Sequence, residues 1–186
     1  ATRVNADGNI EKETQNLITY SNTFSNAAWA KNGTSVTSGQ SGYDGSSDAW
    51  LLSGSGGFAR LSGGISVSGV FTISVYAKAN TTNYLDINML LNGVGQNVIF
   101  DLVNGVKTQE DVTTIAHKIT DVGNEWWRIE VTLNGNLSAV SIGMSTDGTV
   151  AGWVNFTSGS FYIQDYQVEQ GLVARDYIET TTAAVE

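Results

Sequence analysis

The sequence predicts an all-β fold, a single antiparallel β-sandwich. Three observations lead there. Gly, Thr, Ser and Asn together supply 75 of the 186 residues, a composition that favours turns and strands over helices. Hydrophobic residues still make 41% and aromatics 10%, more than a disordered chain carries, so the chain can bury a core. Strand-like runs also recur at the roughly 8–12-residue spacing of a sandwich.

Taken in order, residues 1–14 hold little apolar material beyond Val4 and Ile10 and read as an extended arm. Thr23–Lys31, after a possible Asn22 cap, is the one segment that suits a short helix. Ser53–Gly64 is rich in Gly and Ser but keeps Phe58 and Leu61, so it reads as a bulged strand or a mobile loop. Val70–Lys78 alternates cleanly, with Phe71, Ile73, Val75 and Ala77 on one face. Further strands are expected at Tyr84–Leu91, Gln96–Val103, Thr113–Thr120, Trp126–Asn134, Ser138–Ser145 and Ser160–Glu169. Asn92-Gly93, Asn104-Gly105, Asn134-Gly135 and Asp147-Gly148 supply the dipeptides of tight turns. The domain is expected over 15–178, with 179–186 as a C-terminal tail.

Composition also narrows function. Without cysteine there is no disulfide, thiol nucleophile or thiolate metal site. His117 alone rules out multi-histidine metal centres. A net charge of −9 opposes binding to nucleic acid or anionic membranes. No apolar run approaches the ~18 residues of a membrane span. Ala1–Glu13 is polar and lacks the apolar stretch of a secretory signal.

Candidate chemistry is sparse. His117 could serve as a general base only with a partner nucleophile and an orienting group; lying between Ile115 and Ile119, it reads as a packed or edge residue. Asp44 and Asp48 could offer oxygens to Ca²⁺, but an Asp-Gly turn accounts for them. Asp86, Asp101 and Glu130 read as outward-facing strand residues. No catalytic residue, metal ligand or cofactor is assigned, and the chain is expected not to be an enzyme. The five tryptophans carry more. Trp126 and Trp127 are adjacent and must point to opposite faces, one into the core and the other outward or under a loop. An aromatic ring among Asn, Asp, Gly or Glu can stack on the C–H face of a sugar. Trp50, Tyr84, Trp127 and Trp153 are therefore the candidate carbohydrate-binding residues, with core or interface packing as the alternative.

Five segments in order resemble a known family. Asn16-Leu-Ile-Thr-Tyr-Ser-Asn-Thr-Phe-Ser-Asn-Ala-Ala-Trp29, Tyr43-Asp-Gly-Ser46 with Asp48-Ala49, Phe71-Thr-Ile-Ser-Val-Tyr-Ala-Lys78, Asn124-Glu-Trp-Trp-Arg-Ile-Glu-Val-Thr132 and one closing stretch, Tyr162–Gly171 followed by Ala174–Val185, are similar to jelly-roll modules of tailed-bacteriophage virion proteins. These are related in style to carbohydrate-binding modules. The leader Ala1–Glu11 also resembles segments that precede such modules in phage fibre proteins. The resemblance implies a jelly-roll sandwich and a non-enzymatic role on the virion surface, as capsid decoration or a head or tail fibre component. It further implies synthesis in the host cytoplasm, homotrimeric assembly, attachment to other virion proteins through the N-terminal arm, and glycan adhesion as the alternative function. The family's usual prolines are absent, with Tyr43 and Glu179 in their places. Of the paired acids that hold structural Ca²⁺ in related modules, only Asp165 is present.

Overall fold

Two twenty-residue strands, each shared between two sheets, organise the molecule. The computed structural model describes residues 2–4, 10–12 and 15–185, the first two stretches by backbone alone. In chain order the elements are β1 (Thr2–Val4), β2 (Ile10–Lys12), β3 (Trp29–Asn32), β4 (Thr34–Gln40), β5 (Ala49–Ser55) and β6 (Arg60–Ala79). They continue with β7 (Tyr84–Leu91), β8 (Val94–Asp101), β9 (Val106–Glu110), β10 (Ala116–Gly123), β11 (Trp126–Ser145), α1 (Val150–Val154) and β12 (Ser158–Gln170). β1 and β2 pair into a two-stranded ribbon within the segment read as an arm; the rest of that segment lies outside the described residues.

Register divides the long strands. The second half of β6 and the first half of β11 pair with each other and lie between β12 and β10; β5 and β4 extend this first sheet. The first half of β6 and the second half of β11 pair again, now flanked by β3 and β7, with β8 and β9 beyond. The two sheets form an antiparallel sandwich. β11 passes between them at the register shift after Leu137. Asn134-Gly135, expected as a hairpin turn, therefore lies inside a continuous strand, where Gly135 adopts a φ of +157°. Ser53–Gly64 likewise resolves into the end of β5, a short turn and the start of β6.

The core follows the alternation. Phe71, Ile73, Val75 and Ala77 are fully buried against Ile129, Val131 and Leu133 of β11 and Phe161 and Ile163 of β12. Burying each such larger side chain contributes about 1.5–3 kcal/mol. The helix expected at Thr23–Lys31 is absent; this segment is a run of turns leading into β3. The Asn26 side chain accepts the Ala28 N–H at 2.8 Å, a local bond that competes with a helical turn. Trp29 settles the conformation. It is buried edge-on to Phe24 (5.3 Å) and Tyr166 (5.5 Å), and its indole N–H donates to the Tyr20 carbonyl at 2.9 Å.

Residues 179–185, read as a tail, run beside the opening segment. Asn16 and Val185 exchange backbone hydrogen bonds, and Thr180 is 2% exposed.

Candidate functional site

Four loops meet at one end of the sandwich: β4–β5, β6–β7, β8–β9 and the β10–β11 turn. With the near end of β12 they enclose a cleft of about 990 Å³, the upper range of small-ligand sites. Its rings are Trp126, Trp127 and Tyr162, and its polar groups include Gln40, Asn80, Asn83, Asp121 and Asn124.

The two tryptophans reach the cleft from opposite faces of β11. Trp127 points inward with Ile129 and Val131 and packs against the core. Its indole N–H donates to the Leu102 carbonyl at 2.7 Å. Gly105 lies flat beneath the ring: a Cβ there would stand 2.3 Å from it, and the glycine's φ is +64°. Trp126 points outward, yet is only 2% exposed. The β4–β5 loop covers it through Tyr43, whose ring centre is 6.4 Å away, and Tyr162 stands 6.5 Å off on the neighbouring side. Tyr43 itself stacks on Tyr76 at 3.6 Å with an interplanar angle of 3°.

The β10–β11 turn at the rim is strained. Asn124 and Glu125 both have positive φ, +54° and +66°. Asparagine tolerates that region; glutamate at such a φ costs on the order of 1 kcal/mol. Lys78 clamps the turn, donating to the Asn124 carbonyl at 2.9 Å and pairing with Glu125 at 2.9 Å. The rim is thus held in a shape its own backbone does not favour.

A polar knot backs the cleft. Tyr43 Oη donates to Asp165 Oδ2 at 3.0 Å. Burial pushes the Asp165 carboxyl up to about 7, against the Tyr43 hydrogen bond, and nearby Asp48, Asp44 and Glu179 raise it further. Asp44 and Asp48 turn inward on Gln164, whose Nε2 donates to Asp48 Oδ1 at 2.8 Å, while the Ser46 N–H caps Asp44 at 3.0 Å. These acids close a turn on the last strand. Among the described residues no group of three His, Asp or Glu side chains is placed to hold a metal ion.

The four candidate rings are not brought together. Trp127 lines the end cleft. Trp153, on α1, sits over the outer face of the second sheet, edge-on to Phe58 at 5.0 Å. Trp50 points toward the core, edge-on to Phe24 at 6.0 Å, and its N–H donates to the Asn22 carbonyl. Tyr84 packs beside Gly148 and borders a small separate depression. Trp126 and Tyr162, which do join Trp127, were not among the candidates. Tyr162 was legible as an outward position of a strand; its meeting with Trp126 depends on the β12–β6–β11 order, which no local pattern encodes. His117 is exposed on the edge strand β10, 6.5 Å from the Phe100 ring. Asp86, Asp101 and Glu130 do point away from the core, but they are buried, at 0%, 7% and 9% exposure; Asp101 bonds within the β8–β9 turn and Glu130 pairs with Lys118 and Arg128.

No protein-family model and no curated protein matches the chain. Similar solved structures exist. One is the N-terminal CBM22-1–GH10 modules of endo-1,4-β-D-xylanase 10B from Clostridium thermocellum, complexed with xylohexaose (TM-score 0.48, 12% identity, 86% of this chain and 28% of that one). Another is the CBM22-1 xylan-binding domain from Paenibacillus barcinonensis (0.45, 15%, 79% and 88%). A third is the enzymatically active domain of tailspike protein 4 of bacteriophage CBA120 (0.45, 16%, 85% and 21%). The chain spans well under half the length of the first and third.

Proposed function

We propose that this chain is a non-catalytic glycan-binding module whose end cleft receives a saccharide. The observation that carries the reading is the meeting of Trp126, Trp127 and Tyr162 with Gln40, Asn80, Asn83 and Asn124 in one cleft. Trp127 and Tyr162, the half-buried rings, offer apolar surface to sugar C–H groups with the buried Trp126 behind them, and neutral amides offer both donors and acceptors to hydroxyls. The clamped Asn124–Glu125 turn pre-shapes the rim, which lowers the ordering cost of binding.

The test is titration of the protein with a panel of neutral oligosaccharides that includes xylohexaose. Saturable binding is expected, weakened at least about tenfold by Tyr162→Ala and by Asn83→Ala, with thermal stability nearly unchanged. Absence of binding across the panel, or binding indifferent to both substitutions, overturns the reading.

A second reading places the module on the surface of a bacteriophage particle, as a homotrimer attached through residues 1–14. What supports it is the sequence resemblance itself, whose opening and closing segments lie side by side in the fold. Asn16 Nδ2 donates to the Ile178 carbonyl at 2.7 Å, and Ser21 Oγ and Tyr177 Oη share a 2.6 Å hydrogen bond. Mass measurement in solution and imaging of particles with and without residues 1–14 test it: a monomer, or unchanged attachment, counts against it.

A further inference from the structure

The outward face of the second sheet carries a polar row in direct register: Ser62 on β6, Ser141 on β11, Asn88 on β7 and Asn97 on β8. The row is bonded sideways. Ser141 Oγ donates to Ser62 Oγ at 2.8 Å, Asn88 Nδ2 to Asn97 Oδ1 at 2.9 Å, and Asn97 Nδ2 to Asp111 Oδ2 at 2.8 Å. The adjacent row runs Arg60, Gly143, Asp86, Ile99. Helix α1 lays Trp153 across it. Only a glycine fits at 143, where a Cβ would come 2.9 Å from Trp153 Nε1. The Arg60 guanidinium sits 5.9 Å over the Trp153 ring. Row and wall bound a groove of about 340 Å³.

Three groups at this wall lack well-formed hydrogen bonds among the described residues. Asp86 is wholly buried and, among the described residues, neither carboxylate oxygen has a well-formed hydrogen bond, although the Val98 N–H lies close enough to favour the charged form; the buried Trp153 Nε1 has no partner among them either. Native structures leave few such groups unpaired, and each calls for a reason. Beyond its contact with Trp153, the Arg60 guanidinium makes no hydrogen bond or ion pair within the described residues, so its five donors remain to be used. Other cations are committed: Lys78 to Glu125, Lys107 to Glu110, and Lys118 and Arg128 to Glu130. Burial, reinforced by Asp111, drives Asp86 toward its protonated form, against the opposing pull of Arg60. The Arg60 guanidinium lines the groove and forms no ion pair with Asp86.

We propose that this groove binds an anionic saccharide, with a carboxylate or phosphate on the Arg60 guanidinium and hydroxyls on the Ser62–Ser141–Asn88–Asn97 row. Guanidinium matches either anion with paired, charge-assisted bonds. Strand spacing of about 4.8 Å sets the side chains of the row at intervals suited to hydroxyls on opposite sides of one sugar ring. The site shares no residue with the end cleft, so it stands or falls separately.

Calorimetric titration decides it, using tetragalacturonate, a phosphorylated manno-oligosaccharide and neutral galactotetraose as probes. At least one anionic probe is expected to bind, more weakly as salt rises, and which one binds distinguishes carboxylate from phosphate. Arg60→Gln should weaken that binding at least about tenfold, the loss of a charge-assisted pair, while Tyr162→Ala leaves it unchanged. Should Arg60→Gln fail to fold, Asn88→Asp, which adds a negative charge to the floor, must weaken the anionic probe selectively. Failure of both anionic probes to bind, equal affinity for the neutral one, or unchanged affinity in these variants overturns the proposal.

Discussion

The outward faces of the two sheets are both paved with small polar side chains, and the chain treats them differently. On the first sheet Thr72, Thr132, Gln167 and Glu169 are roofed by residues 171–178. Thr72 donates to the Gly171 carbonyl (2.9 Å), Glu169 accepts the Arg175 N–H (2.8 Å) and Gln167 accepts the Ile178 N–H (2.8 Å). The Arg128 guanidinium donates to the Arg175 carbonyl. On the second sheet Ser62, Ser141, Asn88 and Asn97 partner one another and leave a groove. Polarity alone does not mark a strand face as solvent-exposed or as a binding surface. What matters is whether another stretch of chain arrives to satisfy it.

Breaking the roof should have the largest effect. Asn16 is fully buried; its amide donates to the Ile178 carbonyl, and its oxygen accepts the Val168 N–H at 3.2 Å. Asn16→Ala leaves these groups unpaired and should cost about 3 kcal/mol in chemical denaturation. A loss below about 1 kcal/mol would show that the roof is not integral to the fold. Saccharide binding in the second sheet's groove should survive this change.

Next comes pH. The Asp165 carboxyl, at about 7 in the folded chain, lies above the roughly 3.9 of an unfolded one. The folded state thus holds the proton more tightly, and stability from this group is present below about pH 4 and lost as pH rises to about 7. Asp165→Asn should match the parent near pH 4 and exceed it at pH 8, on the order of 2 kcal/mol after allowance for partial solvent screening. Parallel stability–pH curves for the two proteins would refute this.

Smaller effects sharpen the contrast at the end cleft, where both sheets meet. Gly105→Ala pushes on Trp127 and places a side chain at a φ of +64°. A loss of about 1–2 kcal/mol is expected, with a changed tryptophan fluorescence maximum. An unshifted spectrum would mean the ring is not seated as described. Glu125→Gly removes the positive-φ strain and only an exposed ion pair, so melting temperature should rise by the equivalent of about 0.5–1 kcal/mol. A fall would show that the Lys78–Glu125 pair outweighs the strain.

Much of this was legible residue by residue. The Phe71–Ala77 alternation names a core face, and Tyr84–Leu91 is a strand with the bounds expected from its pattern. Asn92-Gly93 forms its tight turn, with φ of +53° and +78°. Asn134-Gly135 misled because a dipeptide able to turn is equally able to bend a strand that sheet pairing keeps continuous. Thr23–Lys31 misled because a weak local helix preference yields to the burial of Trp29.

By itself the sequence determined the all-β class, the positions of most strands, the acidic charge and the lack of thiol and multi-histidine chemistry. These rest on composition and on a period-two pattern that any sheet must show. Only the tertiary structure decided that Trp126 meets Trp127 and Tyr162, that Arg60 lies over Trp153, and that Asp86 is wholly buried. Those juxtapositions come from strand order and from segments crossing sheet faces. Such long-range contacts are set by the whole core, and no local pattern of residues carries them.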